Sequence, residues 1–275
     1  MNRGWQDRAV GGERRLPEGV GGVPVWRSDR GVHRPKGPWT PTVHALLAHL
    51  ERVGFDGAPT VVGADDEGRE IVTFIEGDAL AAGRAWRPGD PTPWPAWART
   101  DECLVATARL LRRFHDAAAT FAPPDGAVWR RAHVAALGAG DIVCHGDIGP
   151  HNTIYRAGLP VAFIDWDTIG PNDPIVEFAS AAWKYVPLGD DAYFARSDFP
   201  ERPSLARRLA LFARAYGVDD GETVRWALQH AKQRSVDALR YFPITPAQGA
   251  AELHRVAAEL EWLDGAIDEL VAELD

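Results

Sequence analysis

The chain has 275 residues, 45% of them hydrophobic and 25% charged, which is enough to build one large domain or two lobes around a sizeable core. Its 39 acidic residues against 30 basic ones leave a net charge of −9. That balance argues against nucleic acid as a partner, because phosphate backbones select basic surfaces. No stretch approaches the ~20 apolar residues of a membrane span. The two cysteines, Cys103 and Cys144, make no disulfide framework, and residues 1–22 lack an apolar core of signal-peptide type. The expectation is a cytoplasmic protein without a membrane partner.

The first seventy-odd residues read as a small sheet with one helix. Val23 to Trp26 and Gly31 to Arg34 are short strands joined by the turn Ser28-Asp29-Arg30. Apolar spacing of three and four (Val43, Leu46, Leu47, Leu50) predicts a helix from Thr42 to Val53, closed by Gly54. Two more strands follow, Thr60 to Val62 and Glu70 to Ile75, around an acidic turn at 65–68. After Phe74-Ile75-Glu76-Gly77-Asp78 the composition changes. Residues 87–97 are rich in proline and tryptophan and read as a surface loop. A helix follows with Thr100 as N-cap and Asp101 and Glu102 at its positive end. From Asp173, an N-cap with Pro174 behind it, the chain reads as helical, near 203–216, 220–242 and 246–273. The layout is α+β: a β-rich lobe over residues 1–75 and a helical lobe over 76–275, with a hinge at 74–78.

Between these helices lies the stretch that carries the chemistry. Ile142-Val143-Cys144 leads into His145-Gly146-Asp147, and Asn152 precedes the apolar Thr153-Ile154-Tyr155. After a turn at 156–159, the strand Val161 to Ile164 runs directly into Asp165-Trp166-Asp167. A hairpin here brings the loop 145–152 and the acidic pair 165/167 to neighbouring strand ends. Two carboxylates and an amide oxygen then converge, which is how Mg²⁺ is held beside a nucleotide. A metal-dependent hydrolase, with a transition metal held by His145, Asp147, His151, Asp165 and Asp167, is the alternative from the same residues.

The pattern His145-Gly146-Asp147-x-x-x-x-Asn152, followed by Ile164-Asp165-Trp166-Asp167, resembles the aminoglycoside phosphotransferase and choline kinase-like family, which has the two-lobed protein-kinase fold. The resemblance implies a small-molecule kinase with Mg²⁺ and ATP or GTP. It implies Asp147 as the catalytic carboxylate that accepts the substrate's hydroxyl proton, and His145 as a brace for the catalytic loop. Asn152, Asp165 and Asp167 would be metal ligands. Gly146 stands where protein kinases have an arginine, and the short interval from Asp165 to Asp173 leaves little room for an activation loop. Both departures favour a small-molecule acceptor. Arg34 falls where the family has a phosphate-binding lysine, with Lys36 as the alternative cation. The helix 42–53 offers only Glu51 as the usual ion-pair partner. Glu18 to Gly22 is a candidate phosphate-covering loop, and Phe74, Glu76 and Gly77 are candidates for the purine-binding hinge. For an acceptor, possibly cationic, Trp183, Tyr185, Trp226 and Tyr241 are candidate walls. Asp190, Asp191 and Glu177 are candidate carboxylates, Glu177 being better read as support for the loop. A kinase fold that binds without catalysing is the remaining alternative.

Overall fold

The structure is a computed structural model that describes residues 12–16, 24–80, 94–130, 137–238 and 246–274. The candidate phosphate-covering glycines at 19–22, Tyr241 and the loop residues 87–93 lie outside them. Five strands form the first sheet: β1 (Arg14–Arg15), β2 (Trp26–Ser28), β3 (Gly31–Arg34), β4 (Val61–Ala64) and β5 (Glu70–Val72). They pair antiparallel in the order β1-β2-β3-β5-β4. Helix α1 (Thr40–Arg52) buries Val43, Leu46, Leu47 and Leu50, the stripe its spacing predicts, and Gly54 closes it in the left-handed conformation.

Strand alternation decides what β3 presents. His33 points to one face, where it meets Ser28 and Asp65, and Asp65 in turn pairs with Arg69. Val32 and Arg34 point to the other face, and Arg34 there reaches Asp165 and Asp167, 131 and 133 residues further along the chain.

Beyond Asp78 the chain is mostly helical. A short strand β6 (Asp78–Ala79) is followed by α2 (Asp101–Ala118), whose N-cap Thr100 accepts from the Cys103 amide as its sequence predicts. Next come β7 (Ile142–Cys144), β8 (Thr153–Arg156), β9 (Leu159–Phe163) and β10 (Gly170–Asn172). β8 and β9 are the expected hairpin, turning through Ala157 and Gly158, both with positive φ. β6 joins the open edge of β8, and β10 pairs with β7. The helices α3 (Pro174–Tyr185), α4 (Asp191–Phe194), α5 (Leu205–Tyr216), α6 (Gly221–Ala238) and α7 (Pro246–Val271) complete the fold. The core is aromatic: Phe114, Phe163, Trp166, Phe178 and Phe212 are essentially inaccessible to solvent. Trp166 packs edge-on against Phe114 and its indole N–H donates to the Phe163 carbonyl, which locks the chain just after β9. Among the described residues no helix is long and apolar enough to cross a membrane.

Candidate active site

The loop between β7 and β8 is held from beneath. Glu177, one turn into α3 and 2% exposed, accepts hydrogen bonds from the backbone N–H of His145 (3.1 Å) and of Gly146 (2.6 Å), and from the His115 ring (2.9 Å). Burial alone would raise the Glu177 pKa, but the His115 hydrogen bond and charge, with the loop donors, hold it below the usual range. His145 is fully buried and braced on both ring nitrogens. Nε2 donates to the Ile164 carbonyl (3.0 Å), so Nδ1 is the acceptor for the Asp147 N–H (3.3 Å). Burial lowers its pKa, against the pull of the nearby Glu177, Asp147 and Asp165 carboxylates. With both nitrogens committed, His145 has no lone pair for a metal, which removes it from the transition-metal alternative.

Gly146 has φ +82°, and a Cβ there would lie 2.3 Å from the Thr168 carbonyl oxygen. The position is therefore glycine for want of space as well as for its left-handed backbone. Thr168 closes the turn by donating its hydroxyl to the His145 carbonyl.

Asp147 then emerges at the loop's open side with its side chain 35% exposed. Asn152, 6% exposed, donates its amide to the Asp147 carbonyl (2.9 Å) and to Oδ2 (3.1 Å). His151 Nε2 lies 3.3 Å from Oδ2, and the ammonium of Lys184 lies 3.0 Å from Oδ1. Burial would raise the Asp147 pKa, but Lys184 and His151 outweigh it and hold the carboxylate well below its ordinary range. Lys184 comes from the last turn of α3 and gave no signal in the sequence. His151, expected in solvent, faces Asp147.

The hairpin places the acidic pair as its sequence implies. The Ile164 N–H donates to the Asn152 carbonyl, so Asp165 follows directly beside Asn152. Asp165 sits in the left-handed region (φ 63°, ψ 60°), a conformation that costs on the order of 1 kcal/mol and is tolerated best by Asp and Asn among non-glycine residues. Its side chain is 55% exposed, with Oδ1 3.5 Å from Arg34. Asp167 is more enclosed and has both oxygens on arginines, one on Arg34 and the other 3.3 Å from Arg130. Burial raises the Asp167 pKa, and Arg34 opposes the rise.

Arg34 therefore bridges the sheet and the acidic pair. Its Nε donates to Glu70 (3.0 Å) on the neighbouring strand β5, and Glu70 also takes a hydrogen bond from His44 of α1 (2.7 Å). Burial would raise the Glu70 pKa, and His44 and Arg34 pull it down. The partner of the cation is thus a strand glutamate supported by a helix histidine, while Glu51 is exposed. Lys36 lies beyond the end of β3 with its side chain in solvent.

At the hinge, Phe74 is covered by the Arg27 guanidinium 3.6 Å from its ring centroid. Arg27 also pairs with the Glu76 carboxylate, and the Glu76 carbonyl accepts from Arg156. Gly77 (φ +150°) passes close to the hairpin: a Cβ there would be 2.4 Å from the Tyr155 carbonyl oxygen.

The candidate acceptor walls are differently employed. Trp183 is 7% exposed, with the Lys232 ammonium 3.8 Å over its ring. Tyr185 is buried against Thr153. Trp226 is exposed but stacked on His230. Asp190 caps α4 and Asp191 pairs with Arg202. None of these side chains forms an open cage for a cation.

Asn152 and Asp165 supply the hard oxygen donors that Mg²⁺ takes. Asn152 spends its N–H groups on Asp147, which leaves its carbonyl oxygen as the free end. Among the described residues, two other groups of side chains come close enough to hold a metal, Glu13 with His33 and Asp65, and His115 with Cys144 and Glu177. In the first His33 is hydrogen-bonded to Asp65, in the second His115 to Glu177, and neither group includes Asp147 or Asp165.

The profile of the phosphotransferase enzyme family matches residues 15–226. The trifolitoxin immunity protein of Rhizobium leguminosarum bv. trifolii is 35% identical over 240 residues, covering 85% of this chain and 87% of that protein. Among solved structures, the gentamicin complex of APH(2")-IIa superposes with a TM-score of 0.54 at 13% identity, over 95% of this chain and 94% of that one. Macrolide 2'-phosphotransferase MphH from Brachybacterium faecium gives 0.51 at 16% identity, over 93% and 94%. The amicoumacin kinase hAmiN gives 0.53 at 13% identity, over 93% and 87%.

Proposed function

The chain belongs to the phosphotransferase enzyme family and is a small-molecule kinase, and we propose that it transfers the γ-phosphoryl group of ATP to a hydroxyl of a toxic small molecule, disarming it. The observation that carries the transfer chemistry is the loop from His145 to Asn152, which holds one ionised carboxylate, Asp147, beside an amide oxygen and the carboxylate of Asp165. In this reading Asp147 orients the acceptor hydroxyl and takes its proton. Asn152 and Asp165 hold Mg²⁺, which when bound neutralises charge on the phosphates. Arg34, kept in place by Glu70 and Asp167, turns its remaining N–H groups toward the nucleotide phosphates. The purine lies at the hinge 74–78, between the lobes that meet there. Most of the rate comes from positioning and charge neutralisation, which suits a site whose groups are fixed by buried hydrogen bonds.

The toxic acceptor rests on the relative named as an immunity protein, which this chain matches over most of both lengths. The test is expression of the chain in a sensitive bacterium across a panel of hydroxyl-bearing antibiotics and toxins, beside Asp147→Asn. A rise in tolerance to one compound, lost in the variant and matched by a phosphorylated product in the purified reaction, is the expected result. Protection that persists in Asp147→Asn would overturn the transfer mechanism.

A further inference from the structure

Arg34 is divided among Glu70, Asp165 and Asp167. Lys184 is the cation placed at the reacting end. Its ammonium donates to Asp147 Oδ1 (3.0 Å) and to the Ile148 carbonyl (2.8 Å), so two of its three N–H groups are fixed on the catalytic loop. The side chain is 35% exposed on the same open side as Asp147. The loop is shaped to let it in. At Gly149 a Cβ would lie 2.8 Å from Lys184 Cδ and 2.7 Å from His151 Cε1, so any larger residue would push the lysine stem away.

We infer that Lys184 is a catalytic residue whose third N–H meets the transferring phosphoryl group. This rests on the phosphotransferase reading above. In the step, the acceptor oxygen forms a bond to the γ-phosphorus while the bond to the β,γ-bridging oxygen breaks. The electron pair leaves with ADP and the hydroxyl proton passes to Asp147. Negative charge spread over the equatorial oxygens lies within reach of an ammonium already 3.0 Å from the group that orients the attack. Anchoring by Ile148 and Asp147 means that the charge is in place before the reaction, so little reorganisation is needed.

The test uses the full chain and needs no acceptor, because water can serve. Uncoupled Mg-ATP hydrolysis and trapping of Mg-ADP with aluminium fluoride are measured for wild type, Lys184→Met, Lys184→Arg and Lys232→Met. Lys232 is a nearby ammonium that touches Trp183 and Glu259 and not the loop. Lys184→Met should lose about 100-fold in kcat, the scale of one lost transition-state donor, with KM for Mg-ATP and melting temperature close to wild type. It should fail to trap ADP. Lys184→Arg should recover part of both, and Lys232→Met should behave as wild type. Lys184→Met turning over within about threefold of wild type, or losing kcat, nucleotide affinity and melting temperature together, would make Lys184 a structural pin and overturn the inference. An equal loss in Lys232→Met would reduce it to a general field effect. A wild type that binds Mg-ATP yet neither hydrolyses it nor traps ADP overturns this inference alone. A wild type that does not bind Mg-ATP at all overturns the phosphotransferase reading with it.

Discussion

Replacing Glu177 by glutamine tests whether the catalytic loop is held by a buried charge. The carboxylate accepts from three donors: Gly146 N–H on Oε1, and His145 N–H and the His115 ring on Oε2. Glutamine can keep its carbonyl at the Oε2 position and satisfy two of them, but its NH₂ then faces the Gly146 N–H. One buried donor is left unpaired, at about 1–3 kcal/mol, and the two surviving bonds lose their ionic strengthening, roughly 1 kcal/mol each. The expected loss is about 3–5 kcal/mol, large against the ~5–15 kcal/mol of a typical domain but compatible with a folded chain. Urea unfolding at neutral pH reads it directly. The sign with pH follows from the depressed pKa of Glu177 in the folded state. Its stabilisation is present above the unfolded value of about 4.3 and is lost as pH falls through the lower folded value. The gap between wild type and variant should therefore narrow in acid. A loss under about 1 kcal/mol, or a gap that widens below pH 4, would refute the claim that an ionised Glu177 anchors the loop.

Two further substitutions probe the neighbouring parts. Arg34→Ala leaves Glu70, Asp165 and Asp167 without their shared cation and should cost about 3–5 kcal/mol. Mg²⁺ should restore part of the lost melting temperature by neutralising Asp165, and thermal scans with and without the ion check both effects. Gly146→Ala meets the Thr168 carbonyl and a left-handed backbone at once. It should lower stability by about 1–3 kcal/mol in urea unfolding and displace Asp147, with a fall in turnover larger than any change in nucleotide affinity.

The elements that were legible in the sequence are those set by local chemistry. The capping residues Thr100 and Asp173, the stripe of α1 and the hairpin that delivers Asp165 next to Asn152 all depend on residues a few positions apart. The His145-Gly146-Asp147 loop was legible for the same reason. What escaped was set by tertiary approach. Lys184 meets Asp147 because α3 runs back beneath the loop, and no periodicity marks a single lysine in the last turn of a helix. Glu70 replaces the helical glutamate because β3 and β5 are hydrogen-bonded neighbours, a pairing that strand patterns alone do not specify. Asp167 reads as a metal ligand from its spacing to Asp165, yet the fold turns it toward Arg34 and Arg130. Two of the aromatic residues read as walls for a cationic acceptor, Trp183 and Tyr185, are buried instead, because large rings on helices are in demand for packing.

The central claim is that Asn152 and Asp165 hold a metal–nucleotide complex in front of Asp147. Calorimetric titration of ATP with and without Mg²⁺ into wild type, Asp147→Asn and Asp165→Asn tests it most directly, asparagine being chosen at 165 because it tolerates the left-handed backbone. The account predicts Mg²⁺-dependent binding in wild type, retained in Asp147→Asn and weakened at least tenfold in Asp165→Asn. Mg-ATP binding of wild-type strength in Asp165→Asn would contradict it.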